Sequence, residues 1–152
     1  MKTIFLIRHG KASLEGSERE RGLTDEGVEQ AKQITEILKK LEPKIEKVYS
    51  SPLRRAILTI EPIAKYLNTE IKIIENLKEK VTGDVSGKNL NEQKQKMWND
   101  FDSKLPGGES SNQATSRALS ALELIKNDLT TKDLFCILDC AGPLNEDEIK
   151  NI

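Results

Sequence analysis

The only histidine of the chain, His9, stands in the run LIRHG at residues 6–10, directly after Arg8. A neutral imidazole nitrogen is a competent nucleophile toward phosphorus, provided that an acceptor holds the other ring nitrogen and fixes the tautomer. The guanidinium of Arg8 offers a planar fork that suits phosphate oxygens. Gly10 lets the backbone turn sharply behind the pair. Taken alone, LIRHG is equally compatible with a surface His beside a surface Arg. A second run, SSPLRRAILT at residues 50–59, places Arg54 and Arg55 in the first turn of an expected helix. Cations there oppose the helix dipole, so two of them make more sense as an anion site than as a solvated basic turn.

Strands must deliver both runs. Residues 3–7 are apolar or β-branched and precede a glycine, which predicts a buried strand. Residues 11–22 read as a loop. Thr24 is placed to cap a helix with Asp25 and Glu26 in its first turn. Val28, Ala31, Ile34, Leu38 and Leu41 then recur at helical spacing, and the helix should end before Pro43. Residues 47–50 predict a second strand, and Pro52 the first turn of a helix whose stripe is Ala56, Ile57, Ile60, Ile63, Ala64 and Leu67. Pro62 should kink or split that helix. Residues 70–74 read as a third strand and 81–88 as a loop. Residues 90–102 read as a polar helix with Met97 and Trp98 facing inward. After a turn at residues 106–108, Ser110 or Ser111 should cap a helix running to about Asn127. Residues 134–138 predict a last strand, broken by Gly142 and Pro143, with Asn145 capping a final short helix. This alternation implies a three-layer α/β/α domain with a mainly parallel sheet, residues 1–152 forming one unit. Ligands of such sheets gather at the carboxyl ends of the strands, where Arg8, His9 and Ser51 all fall.

LIRHG followed by SSPLRRA resembles the histidine phosphatase superfamily, which includes the cofactor-dependent phosphoglycerate mutases. The resemblance implies that His9 becomes phosphorylated. It also implies that Arg8 and Arg55, the latter preceding Ala56, bind the phosphate beside Gly10, with Arg54 the lesser candidate. Three further segments are similar to the family in the right order. They are GLTDEGVEQA at 22–31, LKEKVTGDVSG at 77–87, and PGGES at 106–110. The second corresponds to the segment bearing the general acid, which falls on Glu79. A carboxyl beside a dianionic phosphate holds its proton more readily, which suits a donor to a leaving oxygen. Outside that frame Glu79 is one charge in a charged run. Lys11 follows Gly10 where many relatives have Glu or Gln, and Ser13 stands in for their Thr as a hydrogen-bonding group at the phosphate.

The match breaks at one position. The family carries a second His at the end of its last core strand, and ILDCAGPL at 137–144 puts Cys140 there. Losing one preorganised donor of this kind costs about 10²–10³ in rate. Three readings stay open. The chain is a slow phosphatase, or a non-catalytic phospholigand-binding or regulatory module, or an altered or C-terminally truncated version of an active relative. The last reading draws on the twelve residues that follow Cys140, where family members continue through a further helix. Cys140 makes a poor nucleophile of the cysteine-phosphatase kind, because Glu146 stands six positions on where that chemistry needs Arg. Cys136, Cys140 and His9 lack zinc spacing, so the motifs call for no metal and no other cofactor.

A length of 152 residues fits one domain. The 24 basic and 25 acidic residues leave a net charge of −1, which gives no global pull toward nucleic acid or an anionic membrane. No run approaches ~18 apolar residues, and two cysteines make no disulfide framework. The expectation is a cytoplasmic protein whose partner is a phosphorylated small molecule or a phosphoprotein, with the oligomeric state open. Mutase chemistry needs a closed pocket that retains and reorients an intermediate. A compact chain resembling this family is expected to be a hydrolase.

Overall fold

The computed structural model describes residues 3–41, 45–84, 86, 90–128 and 133–136. Its strands are β1 (Thr3–Leu6), β2 (Ile45–Ser50), β3 (Ile71–Ile73) and β4 (Asp133–Cys136). They pair in the order β1-β4-β2-β3, and every pairing is parallel. The helices are α1 (Asp25–Leu41), α2 (Arg54–Leu67), α3 (Leu90–Asn99) and α4 (Ser111–Asp128), with one 3-10 turn at Glu75–Leu77. The expected order of elements holds through β4. The expected helix after Asn145 lies outside the described residues.

Alternation along the strands sorts the helices into two layers. Val48 packs with Leu38 of α1 and with Ala56, Ile60, Ile63 and Ala64 of α2, and Phe5 joins that cluster. Their neighbours in sequence, Tyr49 and Ile4, pack instead with Leu77 and with Ala121, Leu122 and Ile125 of α4. Successive strand residues point to opposite faces. The sheet is therefore covered by α1 and α2 on one side and by α4 and the 3-10 turn on the other, giving the α/β/α arrangement.

Caps explain where the helices start. The Gly27 N–H donates to Thr24 Oγ1 at 3.1 Å, so Thr24 caps α1. Ser110, rather than Ser111, caps α4. Its Oγ accepts from the Gln113 N–H at 3.1 Å while Gln113 Oε1 accepts from the Ser110 N–H at 3.0 Å, a reciprocal capping box.

Five expectations need correction. Pro52 lies ahead of α2, which begins at Arg54. Pro62 does not split α2, which runs unbroken through it. The missing N–H removes one intrahelical bond, but Ile60, Ile63 and Ala64 around it are buried against the sheet, and that packing holds the helix together. Val28, assigned to the core stripe of α1, is exposed. Trp98 points outward at 69% exposure, and α3 ends at Asn99 rather than 102. Met97 and Trp98 are adjacent and so lie about 100° apart on a helix, and α3 makes at most marginal contact with the other described elements.

β4 ends beside its neighbours. Cys136 pairs with Leu6 of β1 and with Tyr49 of β2. The carboxyl ends of β1, β4 and β2 therefore share one edge, from which the segments bearing His9 and Arg55 depart.

Candidate active site

The backbone of the loop carrying His9 is fixed by hydrogen bonds to α1 and α2. The Gly10 N–H donates to Thr59 Oγ1 at 3.0 Å, and Thr59 Oγ1 donates to the Arg55 carbonyl at 2.7 Å. One buried hydroxyl thus couples the His9 loop to the α2 turn that bears Arg55. The Lys11 N–H donates to Gln30 Oε1 at 2.8 Å, and the Lys11 carbonyl accepts from the Thr24 N–H at 2.9 Å. Gly10 and Gly27 meet back to back, so that a Cβ on Gly10 would lie 2.5 Å from the Gly27 carbonyl oxygen. Thr24, Gly27 and Gln30 of the GLTDEGVEQA segment therefore form the socket for the His9 loop.

The imidazole itself is oriented by the backbone of the next residue. His9 Nδ1 lies 2.6 Å from the Gly10 carbonyl oxygen. A carbonyl only accepts, so Nδ1 carries a proton, and in the neutral ring the lone pair is then on Nε2. That is the tautomer a nucleophilic histidine needs. Arg8 beside it is exposed and makes no hydrogen bond or ion pair with another described residue. The Lys11 ammonium is paired with Glu26.

Arg55 is the centre of charge. Its side chain is 1% exposed, whereas Arg54 next to it is exposed. The period of α2 decides this, because residues 55, 56, 59, 60, 63 and 64 face inward together. Arg55 Nη1 donates to the Glu18 carbonyl at 3.0 Å. Nη2 meets two carboxylates, Glu79 at 2.6 Å and Glu18 at 2.8 Å. Glu18 also pairs with Arg21. The Arg54 N–H donates to the Arg19 carbonyl at 3.0 Å, so the 13–22 loop closes over the start of α2.

Glu79 sits in a segment tied down by α4. Arg117 holds Glu109 through both carboxylate oxygens, at 2.9 and 2.7 Å, and donates to the backbone carbonyls of Asn76 and Lys78, each at 2.8 Å. The Arg117 hydrogen bonds, ahead of smaller contributions from the Val81 N–H and nearby cations, hold the Glu109 carboxyl below its ordinary range despite partial burial. Burial pushes the neighbouring Lys80 ammonium down, with Glu109 opposing.

The residues singled out in the sequence come together in part. His9, Gly10, Arg55 and Glu79 are linked through Thr59 and through the Arg55–Glu79 pair. Ser13 Oγ accepts from the Glu15 N–H at 3.1 Å, within its own loop. Cys140 lies outside the described residues. Sequence reasoning missed Thr59, Glu18 and Arg117. The signal for Thr59 was present, since it follows Arg55 by one helical turn on the buried face. Glu18 lies in the charged run SERER, which has no period to single it out.

Comparisons with known proteins identify the family and the fold. The sequence profile of the histidine phosphatase superfamily (branch 1) matches residues 4–140. The 2,3-bisphosphoglycerate-dependent phosphoglycerate mutase of Parvibaculum lavamentivorans is 32% identical over 136 residues, which cover 79% of this chain and 65% of that protein. The chain thus spans less than two thirds of that relative's length. The uncharacterized phosphatase PhoE of Bacillus subtilis is 28% identical over 142 residues, 90% of this chain and 71% of that one. Among solved structures, the alpha-ribazole phosphatase of Shigella flexneri superposes with a TM-score of 0.73 at 22% identity, over 89% of this chain and 72% of that chain, a likeness of fold. Matched from β1 to beyond β4, the chain belongs to the histidine phosphatase superfamily.

Proposed function

We propose that the protein hydrolyses phosphomonoesters, borne by a small molecule or a phosphoprotein, through a phosphohistidine on His9. The observation that carries this reading is the coupled pair of loops. His9, with its lone pair on Nε2, is tied through Gly10 and Thr59 to the turn bearing buried Arg55, which in turn contacts Glu79. In the first step Nε2 forms the N–P bond as the ester P–O bond breaks, and Glu79 gives its proton to the leaving oxygen. In the second, Glu79 takes a proton from water, the water oxygen bonds to phosphorus, and the N–P bond breaks to restore the imidazole. Arg8 and Arg55 neutralise charge on the equatorial oxygens. Catalysis of this kind rests on positioning and charge stabilisation.

Cys140, where the family has its second His, favours an alternative reading as a non-catalytic phospholigand-binding or regulatory module. The deciding experiment compares the parent, His9→Ala and Cys140→His on an aryl phosphate and a panel of phosphometabolites. Turnover by the parent that His9→Ala abolishes supports the hydrolase. A silent parent with an active Cys140→His supports the binding module. Silence in all three, without phosphate binding, removes both.

A further inference from the structure

We propose that Arg117, locked to Glu109, is the positioning residue that aims Glu79 at the leaving group. The inference rests on the reading of Glu79 as proton donor. Arg117 meets five acceptors. Besides the two Glu109 oxygens and the carbonyls of Asn76 and Lys78, its Nη2 reaches the Glu79 carbonyl at 3.4 Å. Glu109 continues the clasp on the other side, where its Oε2 accepts from the Val81 N–H at 3.1 Å and its own N–H donates to the Val81 carbonyl at 2.8 Å. One ion pair, 14% and 22% exposed, therefore fixes the backbone on both sides of Glu79 within two residues. Two glycines allow the approach. A Cβ on Gly83 would lie 2.6 Å from the Pro106 carbonyl oxygen, and one on Gly108 would lie 2.5 Å from that of Thr82.

This clasp matters once a phosphate arrives. The Glu79 carboxylate is 41% exposed and is held at its far end by Arg55. A phosphate engaging Arg55 releases that end, and the backbone clasp then determines where the carboxyl points. Proton donation requires approach to within about 3 Å of the leaving oxygen. Only a guanidinium can serve here, because a lysine ammonium cannot span a planar carboxylate and three carbonyls at once.

A leaving-group series tests the inference. Rates on 4-nitrophenyl phosphate, which departs with little help, are compared with rates on phenyl phosphate, which needs the acid. The enzymes are the parent, Glu79→Gln, Arg117→Lys, Glu109→Gln and the Arg117→Lys/Glu79→Gln double variant, each also in the Cys140→His background. Arg117→Lys is expected to lose about 10–100-fold in kcat on phenyl phosphate, within the range of general acid catalysis, with a loss of about threefold or less on the nitrophenyl ester and KM little changed. The double variant should be no slower on phenyl phosphate than Glu79→Gln alone. Equal losses on both esters, or multiplicative losses in the double variant, overturn the clasp and leave Arg117 a general stabiliser. If Glu79→Gln itself shows no selective loss, the assignment of Glu79 falls instead, and the clasp with it. Absence of turnover in both backgrounds removes the reading on which the clasp stands.

Discussion

At the scale of single residues, Arg55 presents a conflict of charge. Two carboxylates share its Nη2, and a phosphate dianion placed on the same guanidinium would be repelled by both. Both must yield the guanidinium. Glu79 is released only at its carboxyl end, because its backbone is clasped from α4, whereas Glu18, 63% exposed and carried by a loop, can leave altogether. Glu18→Gln should therefore tighten orthophosphate binding about two- to fivefold, the worth of a partly solvated ion pair. The inhibition constant of orthophosphate against an aryl phosphate measures this, and an unchanged constant would mean that Glu18 is not the group displaced. The choice of Arg55 over Arg54 was legible through the resemblance, in which the Arg preceding Ala56 is the phosphate ligand, and not through the expected apolar stripe, which included Ile57 and did not separate the two neighbours. The role of Glu18 was not, because its partner comes from an element 37 residues on and no local pattern announces the pairing.

At the scale of elements, the end of β1 and the start of α1 act as one unit. Gly27 has no room for a side chain. Its Cβ would fall against the Lys11 carbonyl oxygen, inside any tolerable contact. Gly22, five residues earlier, would meet only the Leu58 side chain at 3.6 Å, an ordinary contact. Gly27→Ala is expected to cost about 2–4 kcal/mol and to lower the melting midpoint by roughly 5–15 °C, with loss of turnover as the Thr24 and Gln30 hydrogen bonds part. Gly22→Ala should melt close to the parent. Circular dichroism melts of the two variants check this, and equal midpoints would contradict the socket. The family segment around Gly27 could be recognised from sequence, but its task could not, since a glycine in a helix carries no mark of what approaches it. Where cap and period agreed, as at Thr24 with α1 and Ser110 with α4, the helix was readable. Period alone failed at α3, because two adjacent apolar residues do not make a face and no partner covers Trp98 among the described elements.

At the scale of the whole molecule, α4 covers one face of the sheet and is tethered at both ends by carboxylates. Glu109 precedes it and meets Arg117. Asp128 ends it and accepts from the Tyr49 hydroxyl, from Lys47 at 2.9 Å and from Lys72 at 3.0 Å. Hydrogen bonds from Tyr49, Lys47 and Lys72 hold the Asp128 carboxyl well below the usual range, and Arg117 lowers Glu109. A group whose folded pKa lies below its unfolded one binds fewer protons when folded. Its contribution to stability is complete above the unfolded value and is lost as pH falls through the folded one. The ordinary values are 3.8 for Asp128 and 4.5 for Glu109, so both tethers hold fully at neutral pH and weaken progressively once the solution is more acid than about pH 4.5. Stability to urea should fall in that range. Asp128→Asn should start lower at pH 7 and approach the parent as acid protonates the parent's own carboxylate. Denaturant midpoints measured from pH 7 to pH 2 for the two proteins test the point. Converging curves tie the acid response to Asp128, whereas parallel curves would show that the carboxylate is not titrating out of its ion pairs. Glu109→Gln, measured the same way, reports on the other end of the helix. A matching convergence there would mean that acid loosens α4 and the Glu79 segment together, so that turnover should decline over the same pH range as stability.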